Sequence, residues 1–305
     1  MDDYLFRGVS DDGSFRVIGA RTTHLVDEAR RRHQASPTAI AALGRAMTAA
    51  VLLSADLKKE DHRVMIQIQG GGPLGEILAE ADGAGRARGC IQRPSVHLPP
   101  TEARKLDVGG GVGARGFFSV TKDLGLKEPY QGSVPLVSGE IAEDLSYYLT
   151  VSEQVPSAAA IGVLVEVDGR VKAAGGLLFQ SLPEASDEAV ARLEKRLREM
   201  PPLTSLLSRG LAPEEVAREL LSPVSLKILE TRPVVFGCRC SRERVERALI
   251  ALGIKEIERL AKEKESTEIS CDFCRTTYVF TRQDLERLIK EVFGGKPGRD
   301  RVPQA

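Results

Sequence analysis

The sequence predicts an α+β amino-terminal domain with β-hairpins and buried helices, a helical linker, and a small carboxy-terminal domain built around four cysteines. Asp-Gly turns beside β-type runs, at 82–83 and 168–169, indicate hairpins. A run of apolar residues over 39–55 indicates a helix that is buried on nearly all sides. Two closely spaced pairs of cysteines near the end of the chain mark a separate unit. The predicted boundaries are 1–181 for the α/β core domain, 182–233 for the linker, 234–292 for the cysteine domain and 293–305 for a disordered tail.

The overall charge argues against nucleic acid or an anionic membrane as a partner. Lys+Arg and Asp+Glu both number 43, so the net charge is zero, and no global field attracts polyanions. The first seven residues, MDDYLFR, are acidic and lack the basic and apolar regions of a signal peptide. The apolar run is interrupted by Arg45 and is predicted to be too short and too polar to span a bilayer. We therefore expect a soluble, cytoplasmic protein.

The first half of the chain reads as short strands around one long helix. Residues 14–18 alternate like a strand beside an Asp-Gly turn. Ser36 is a typical cap residue and Pro37 suits the first helical position, so a helix is predicted from there to about Leu57. Strands are then predicted over 64–68 and 75–80.

A glycine cluster at Gly109–Gly116 contains a formal match to the dinucleotide-binding pattern G-x-G-x-x-G. That pattern requires a helix after the glycines. Here residues 116–121 are aromatic and β-branched and predict a strand, so the cluster is interpreted as a glycine-rich hairpin. The lone cysteine of this half, Cys90, has apolar flanks typical of an inert, small buried side chain.

The last part of this domain is predicted to be a helix followed by a hairpin. The helix spans about 140–151, and its acidic first turn suits the positive end of the helix dipole. The same carboxylates could act as general acids or bases, but no histidine or second group stands near them in the sequence. The hairpin pairs 161–167 with 171–175. No catalytic residue is predicted, and we expect no enzyme activity.

The segment 182–233 changes character. A charged helix is predicted over 186–200 with a narrow apolar stripe, and prolines at 201, 202, 213, 223 and 233 divide the rest of the segment. Short amphipathic helices bury little area each, so they are stable only when they dock onto something else. The segment is therefore predicted to be a metastable helical linker.

The two cysteine pairs predict a zinc site. Cys238-Arg-Cys240 and Cys271-Asp-Phe-Cys274 are separated by thirty residues, and zinc takes four thiolates in a tetrahedron. The second pair has ordinary zinc-knuckle spacing, and the first is tighter. Residues i and i+2 of an extended segment point to the same side, so the sulfurs of the first pair can face one metal or each other.

The domain around these cysteines is too small to be stable without a metal. It has fewer than sixty residues and few large apolar side chains. Structural zinc contributes about 10–16 kcal/mol of apparent binding free energy, against about 5–15 kcal/mol for the stability of a whole domain. Oxidation of the thiolates within a pair would remove zinc ligands. The sequence thus predicts a redox switch in which loss of zinc unfolds the domain and undocks the linker.

The chain resembles the bacterial redox-regulated chaperones, the 33-kDa heat-shock holdase family, over about residues 4–290. The cysteine pairs are similar to the family's zinc site. The other similar motifs are GGPLG at 71–75, VSGEIAEDL at 137–145, SEQ at 152–154, PS at 156–157 and AAGG at 173–176.

This resemblance implies an ATP-independent holdase that is inactive when reduced and bound to one zinc ion. Peroxide with heat, or hypochlorous acid, would convert it to a form that binds unfolding clients and dimerises, with the core domain serving both roles. The resemblance implies Cys238, Cys240, Cys271 and Cys274 as zinc ligands, and Cys238–Cys240 and Cys271–Cys274 as the disulfides of the oxidised form. Cys90 is outside that pattern and has no assigned role.

Two other classes of function fit parts of the sequence. A structural zinc module of a nucleic-acid-associated protein should have a basic face, but residues 238–291 carry twelve Lys/Arg and eleven Asp/Glu. A thiol-disulfide oxidoreductase could use Cys271-x-x-Cys274, but that motif needs a strand-to-helix setting and no neighbouring Cys-x-Cys. The resemblance favours the chaperone interpretation over both.

Overall fold

The computed structural model describes residues 2–293, and the α+β class predicted for the chain is confirmed. The strands are β1 (Tyr4–Ser10), β2 (Phe15–Arg21), β3 (Arg63–Gln69), β4 (Ile77–Asp82), β5 (Arg86–Ile91), β6 (Phe117–Asp123), β7 (Tyr130–Pro135), β8 (Ser157–Val165), β9 (Val171–Ser181), β10 (Leu226–Pro233), β11 (Val235–Phe236), β12 (Ser266–Ser270) and β13 (Thr277–Thr281). The helices are α1 (Thr23–His33), α2 (Pro37–Leu53), α3 (Val108–Val112), α4 (Ala142–Val151), α5 (Asp187–Glu199), α6 (Leu203–Ser208), α7 (Pro213–Leu221), α8 (Arg242–Leu252), α9 (Ile254–Glu263) and α10 (Arg282–Phe293).

The described chain divides into two compact units between Cys238 and Arg239. The first unit holds two sheets, with strand orders β10-β1-β2-β9-β8 and β11-β5-β4-β3-β6-β7. Every residue of α2 except Pro37 and Arg45 is buried, because the helix packs against strands of both sheets. The long buried helix expected from the apolar run is therefore the centre of the main core.

The same helix has the length and composition of a membrane span when its 3-10 extension is included. The range Pro37–Asp56 is long and apolar enough, which contradicts the expectation that this run is too short and too polar. In the folded chain, however, 94% of the apolar window is buried inside the protein. Core helices of globular proteins have this combination of composition and burial.

The glycine cluster is not a hairpin, as the sequence had suggested, but the short helix α3. The Asp107 side chain caps this helix by accepting a hydrogen bond from the Gly110 N–H at 2.8 Å. The following turn lies directly on the loop after β3, where a Cβ added at Gly113 would be 2.4 Å from the Gly70 carbonyl oxygen. These glycines allow the backbone after α3 to contact the backbone of the loop after β3. Sequence patterns of turns and strands do not reveal such a contact.

Helix α4 begins at Ala142, slightly later than expected, and one of its acids has a structural role. The Asp144 carboxylate accepts hydrogen bonds from the Val137 N–H at 2.7 Å and from the Ile141 N–H at 3.0 Å. A carboxylate that satisfies backbone donors at a helix start caps the helix. This supports the structural interpretation of that residue over the acid–base one.

Helices α5, α6 and α7 lie in the segment 182–233 and pack their apolar faces on the outer side of the first sheet. The buried side chains of this second core are Phe6, Phe15, Val17, Ala173, Leu177, Phe179, Ala189, Leu193, Leu203, Leu207, Val216, Ala217, Leu220, Leu221 and Leu226. At one end of the helices, Arg196 Nη1 donates hydrogen bonds to the carbonyls of Leu220 at 3.0 Å and Glu219 at 3.3 Å, and to that of Ser222.

The segment also contains a strand that the sequence did not predict. Strand β10 pairs antiparallel with β1 along its length, although the prolines at 223 and 233, before it and at its end, predicted breaks. Pro233 stands at the end of this edge strand, where a missing N–H is tolerated. The behaviour of 182–233 as a metastable linker, and the predicted domain boundaries, remain predictions.

The second unit contains α8, α9, the β12–β13 hairpin and α10. Its buried core is small and consists of Leu249, Ile257, Ala261, Phe280, Leu285 and Leu288. The Ser241 hydroxyl caps α8 by accepting from the Arg244 N–H, and the Asp284 carboxylate accepts from the Thr281 N–H at 3.0 Å before α10. Of the predicted tail 293–305, everything after Phe293 lies outside the described residues.

Candidate metal centre

Four cysteine side chains meet at one point. The sulfurs of Cys238, Cys240, Cys271 and Cys274 all lie within 4.8 Å of one another. Cys274 is buried and the other three are partly exposed. The structure thus brings together all four residues that the sequence pattern singled out. Cys90 lies elsewhere, on β5 opposite Leu78 of β4, and is not in this group.

The first pair is positioned by the edge of the second sheet. Strand β11 pairs in parallel with β5, and the Gly237 N–H donates to the Ala87 carbonyl at 3.0 Å. Cys238 comes immediately after Gly237, and Arg88 Nη1 donates a hydrogen bond to its Sγ at 3.2 Å. The second sheet of the first unit therefore positions the Cys238 sulfur.

Arg88 is itself held in place by a carboxylate on the neighbouring strand. Its guanidinium forms two hydrogen bonds of 3.1 Å with Glu80, and both side chains are largely buried, at 12% and 13% exposure. Burial acts to lower the pKa of the Arg88 guanidinium, but its hydrogen bonds with Glu80 and Cys238 raise it. Arg88 is thus a fixed hydrogen-bond donor that can orient the Cys238 sulfur.

The second pair sits in a knuckle between β12 and β13. The Cys271 N–H donates to the Thr276 carbonyl at 2.9 Å, and the Arg275 N–H donates to the Cys271 carbonyl at 2.8 Å. Arg275 has φ 58°, in the left-handed region that side chains rarely adopt. Such a residue turns the chain back sharply after Cys274, so that both sulfurs of the pair face the same side.

Polar side chains of the second unit also contact the sulfurs. The Tyr278 hydroxyl donates to Cys240 Sγ at 3.1 Å, and Cys274 Sγ lies 3.2 Å from Thr276 Oγ1. Burial acts to raise the pKa of the Cys274 thiol, but hydrogen bonds with Thr276 and with the neighbouring cysteines lower it to about 6. A lowered pKa favours the thiolate, which is the form that binds metal and reacts with oxidants.

The donor set fits a zinc ion. Zn–S bonds of about 2.3 Å in a tetrahedron place the sulfurs about 3.8 Å apart, and the four sulfurs lie within 4.8 Å of one another. Soft thiolates select zinc over harder cations such as magnesium and calcium. The hydrogen bonds from Arg88 and Tyr278 are of the kind that orient metal ligands from outside the coordination sphere.

These outer contacts were missed at the level of the sequence. Arg88 and Cys238 are 150 residues apart, so no local pattern connects them. Tyr278 is closer to the cysteines but comes after the knuckle in an ordinary β-type run. Glu80 and Arg88 have opposite charges and are cross-strand neighbours, so the ion pair between them could have been detected. The contact of Arg88 with Cys238 could not.

Comparisons with known proteins identify close relatives. A family model described as "Hsp33 protein" matches residues 3–281. The 33 kDa chaperonin of Desulforamulus reducens is 50% identical over 292 residues, which cover 96% of this chain and 99% of that protein. The 33 kDa chaperonin of Geobacillus kaustophilus is 46% identical over 288 residues, covering 94% of this chain and 98% of the relative.

A solved structure has the same fold. The crystal structure of the 33 kDa chaperonin (heat shock protein 33 homolog) from Thermotoga maritima superposes with a TM-score of 0.90. The sequences are 38% identical, and the match covers 96% of this chain and 100% of that chain. The likeness therefore extends through both compact units.

Proposed function

Because this chain belongs to the Hsp33 family, a family of chaperones, we propose that it is a cytoplasmic, redox-regulated, ATP-independent holdase and not an enzyme. The observation that carries the regulatory part is the cluster of four sulfurs within 4.8 Å of one another. Unfolding or oxidatively damaged proteins are its clients, and it keeps them from aggregating.

In the reduced state, Cys238, Cys240, Cys271 and Cys274 hold one zinc ion as thiolates. Bound zinc supplies cross-linking free energy to the second unit, whose core has six buried apolar residues within the described range 239–292. Arg88 and Tyr278 orient two of the sulfurs through their hydrogen bonds. The protein is inactive in this form because helices α5–α7 cover the apolar face of the first sheet.

Oxidation removes the thiolates. Each disulfide forms when two thiols lose two electrons and two protons to one hydrogen peroxide, which becomes two waters; hypochlorous acid is an alternative oxidant. We assign the bonds Cys238–Cys240 and Cys271–Cys274. One close sulfur contact joins the two pairs, with Cys240 Sγ 3.3 Å from Cys274 Sγ, so the assignment needs a direct test.

Loss of the four ligands frees the metal and unfolds the second unit. The segment 182–233, which leads through β10 and β11 to Cys238, then loses its anchor. Its helices leave the first sheet and expose the apolar side chains of the second core, which bind clients. The oxidised form is a homodimer.

The first prediction concerns the whole switch. Peroxide treatment of the zinc-loaded protein at raised temperature should release zinc and lower the helicity. The oxidised protein should then suppress the aggregation of a denatured client. Zinc release is followed with a chromophoric chelator, and light scattering reports aggregation. Zinc release without any holdase activity would refute the switch. The Cys90→Ser variant is the control, and it should respond as the unmodified protein does.

Disulfide mapping by mass spectrometry of the oxidised protein tests the pairing. Peptides linked within each pair are expected. A dominant Cys240–Cys274 link would show that this contact between the pairs determines the product, and that the assigned pairing is wrong.

A further inference from the structure

Strand β10 connects helices α5–α7 to the first cysteine pair, and it pairs with β1 along its length. Its first half also belongs to the surface on which the helices pack. Leu226 is buried in the second core, Ile228 packs against that core, and α7 contacts the strand. The helices therefore keep all their apolar contacts only while β10 stays paired with β1.

A bulge turns the side chains in the second half of β10 to the opposite face of the sheet. The register shifts between Arg7 and Gly8 of β1, where Leu229 is an extra residue on β10. One extra residue moves the side chains that follow it to the other face. Arg232 therefore lies opposite Leu5, on the side of the main core and not on the side of the helices.

The Arg232 guanidinium attaches β10 to parts of the first unit outside its own sheet. Nη1 donates a hydrogen bond of 3.1 Å to the carbonyl of Gly83, in the turn between β4 and β5. Nη2 donates to the carbonyl of Ser54, at the end of α2, and lies 3.3 Å from Ser54 Oγ. Hydrogen bonds from a charged donor are stronger than those between neutral groups. One side chain thus joins an edge strand of the first sheet to the central helix and to the second sheet.

Arg232 also lies on the path along the chain from the cysteines to the helices. Between Arg232 and Cys238, the side chain of Val234 is buried in the main core and its N–H donates to the Asp3 carbonyl at 3.0 Å. Strand β11 then pairs with β5 over two residues. Opening that starts at Cys238 must therefore pass β11 and Val234 and then break the contacts of Arg232 before it reaches β10 and the helices.

We propose that Arg232 is an autoinhibitory latch: its contacts with Ser54 and Gly83 keep β10 paired, and β10 keeps helices α5–α7 docked. This rests on the proposed switch and names the contact through which loss of the metal reaches the helices. When Arg232 is released, Leu226 and Ile228 leave the second core with β10, and the helices lose part of the surface on which they pack. The latch lies within the first unit, so it can open while the metal stays bound.

The test compares Arg232→Met with Lys227→Met in the reduced, zinc-loaded, full-length protein. Both changes remove a basic group from β10, but Lys227 is exposed and lies outside the latch. Hydrogen exchange read by mass spectrometry should become about 10- to 100-fold faster over 187–199 and 226–233 in the Arg232→Met variant alone, because β10 loses its charge-assisted hydrogen bonds. Arg232→Lys should restore part of the protection, because an ammonium group keeps the charge but lacks the fork of donors.

Further measurements on Arg232→Met separate a latch from a general loss of stability. Zinc affinity, measured by competition with a chelator, and exchange over 37–53 should both equal those of the unmodified protein. The variant should bind reduced, carboxymethylated α-lactalbumin without oxidant, whereas the unmodified reduced protein should not. Equal exchange in the two methionine variants, or faster exchange over 37–53 as well, would overturn the latch. Faster exchange over 187–199 and 226–233 in a variant that binds no client would support the latch and count against the holdase function instead.

Stepwise oxidation of the unmodified protein provides a test that needs no variant and no client. Exchange over 226–233 and over 187–199 should rise at the same level of oxidant, because the helices undock when β10 leaves β1. Loss of protection over 187–199 while 226–233 stays protected would refute the latch, however the variants fold.

Discussion

At the scale of single residues, the candidate metal centre depends on side chains that are not ligands. Arg88 is fixed by Glu80 on the adjacent strand and reaches the Cys238 sulfur at 3.2 Å. Groups in such positions hold a ligand in its binding orientation, and their removal typically reduces metal affinity. The cysteines supply the candidate ligands, and we expect these outer contacts to influence metal affinity.

The second prediction concerns this contact. Arg88→Gln should weaken zinc binding about 10- to 100-fold, because Cys238 loses its donor and the adjacent positive charge. Arg86→Gln is the matched control: Arg86 lies on the same strand and pairs with Asp82. Competition with a chelator of known affinity measures the difference. Equal zinc affinity in the two variants would show that Arg88 does not support the site.

The residues of the candidate site were predictable to different degrees. The four cysteines are recognisable because zinc imposes short spacings within each pair, and the structure gathers those four sulfurs. Arg88 was not predictable, since its contact depends on how β5 and β11 pair in three dimensions. Asp144 was correctly assigned to a helix start, because capping is a local interaction that sequence spacing records.

At the scale of elements, helix α5 of the segment 182–233 is docked through few side chains. In α5 only Ala189 and Leu193 are buried, although the helix has 13 residues. An isolated helix of that length is marginal in water. Its presence in the folded protein therefore depends on this narrow apolar stripe and on its neighbours α6 and α7.

The third prediction tests the docking of α5. Leu193→Ala should destabilise the linker by about 2–5 kcal/mol, the usual cost of such a truncation in a core. Glu194→Ala is the control, because its side chain is 55% exposed. Hydrogen exchange over 187–199 should accelerate, and less oxidant should be needed for activity. Unchanged exchange in the Leu193 variant would contradict the docked, marginally stable linker.

Helices and strands that depend on local sequence patterns were predicted correctly, whereas those that depend on tertiary contacts were missed. The β8–β9 hairpin was expected from its Asp-Gly turn and β-branched run, and the structure has it. Strand β10 was missed because its partner β1 lies more than two hundred residues earlier and only that pairing makes it a strand. Helix α3 was missed because it depends on close backbone contact with the loop at Gly70 and not on the helix propensity of its residues.

At the scale of the molecule, the two units have unequal cores. The first contains a large core around α2 and a second one under the linker helices, whereas the core of the second unit, as far as the structure describes it, consists of six apolar residues. Burial supplies the main driving force for folding. The first unit should therefore be stable without metal, and the second should not.

The fourth prediction separates the units by their need for metal. Removal of zinc from the reduced protein with a chelator should unfold helices α8–α10 and leave α2 and the two sheets intact. Hydrogen exchange read by mass spectrometry gives the two regions separately. Full protection of 242–292 in the metal-free protein would show that the metal does not hold this unit together.

The contact of Arg196 with the end of α7 has a consequence for how sharply the protein responds to heat. The Arg196 guanidinium donates hydrogen bonds to the carbonyls of Glu219, Leu220 and Ser222, so undocking of α5 removes the donor from three acceptors at the end of α7 at once. The two helices are therefore expected to melt together as one cooperative unit. A cooperative unfolding transition occurs over a narrow temperature range. The segment 182–233 would therefore unfold at a threshold temperature and not progressively on heating.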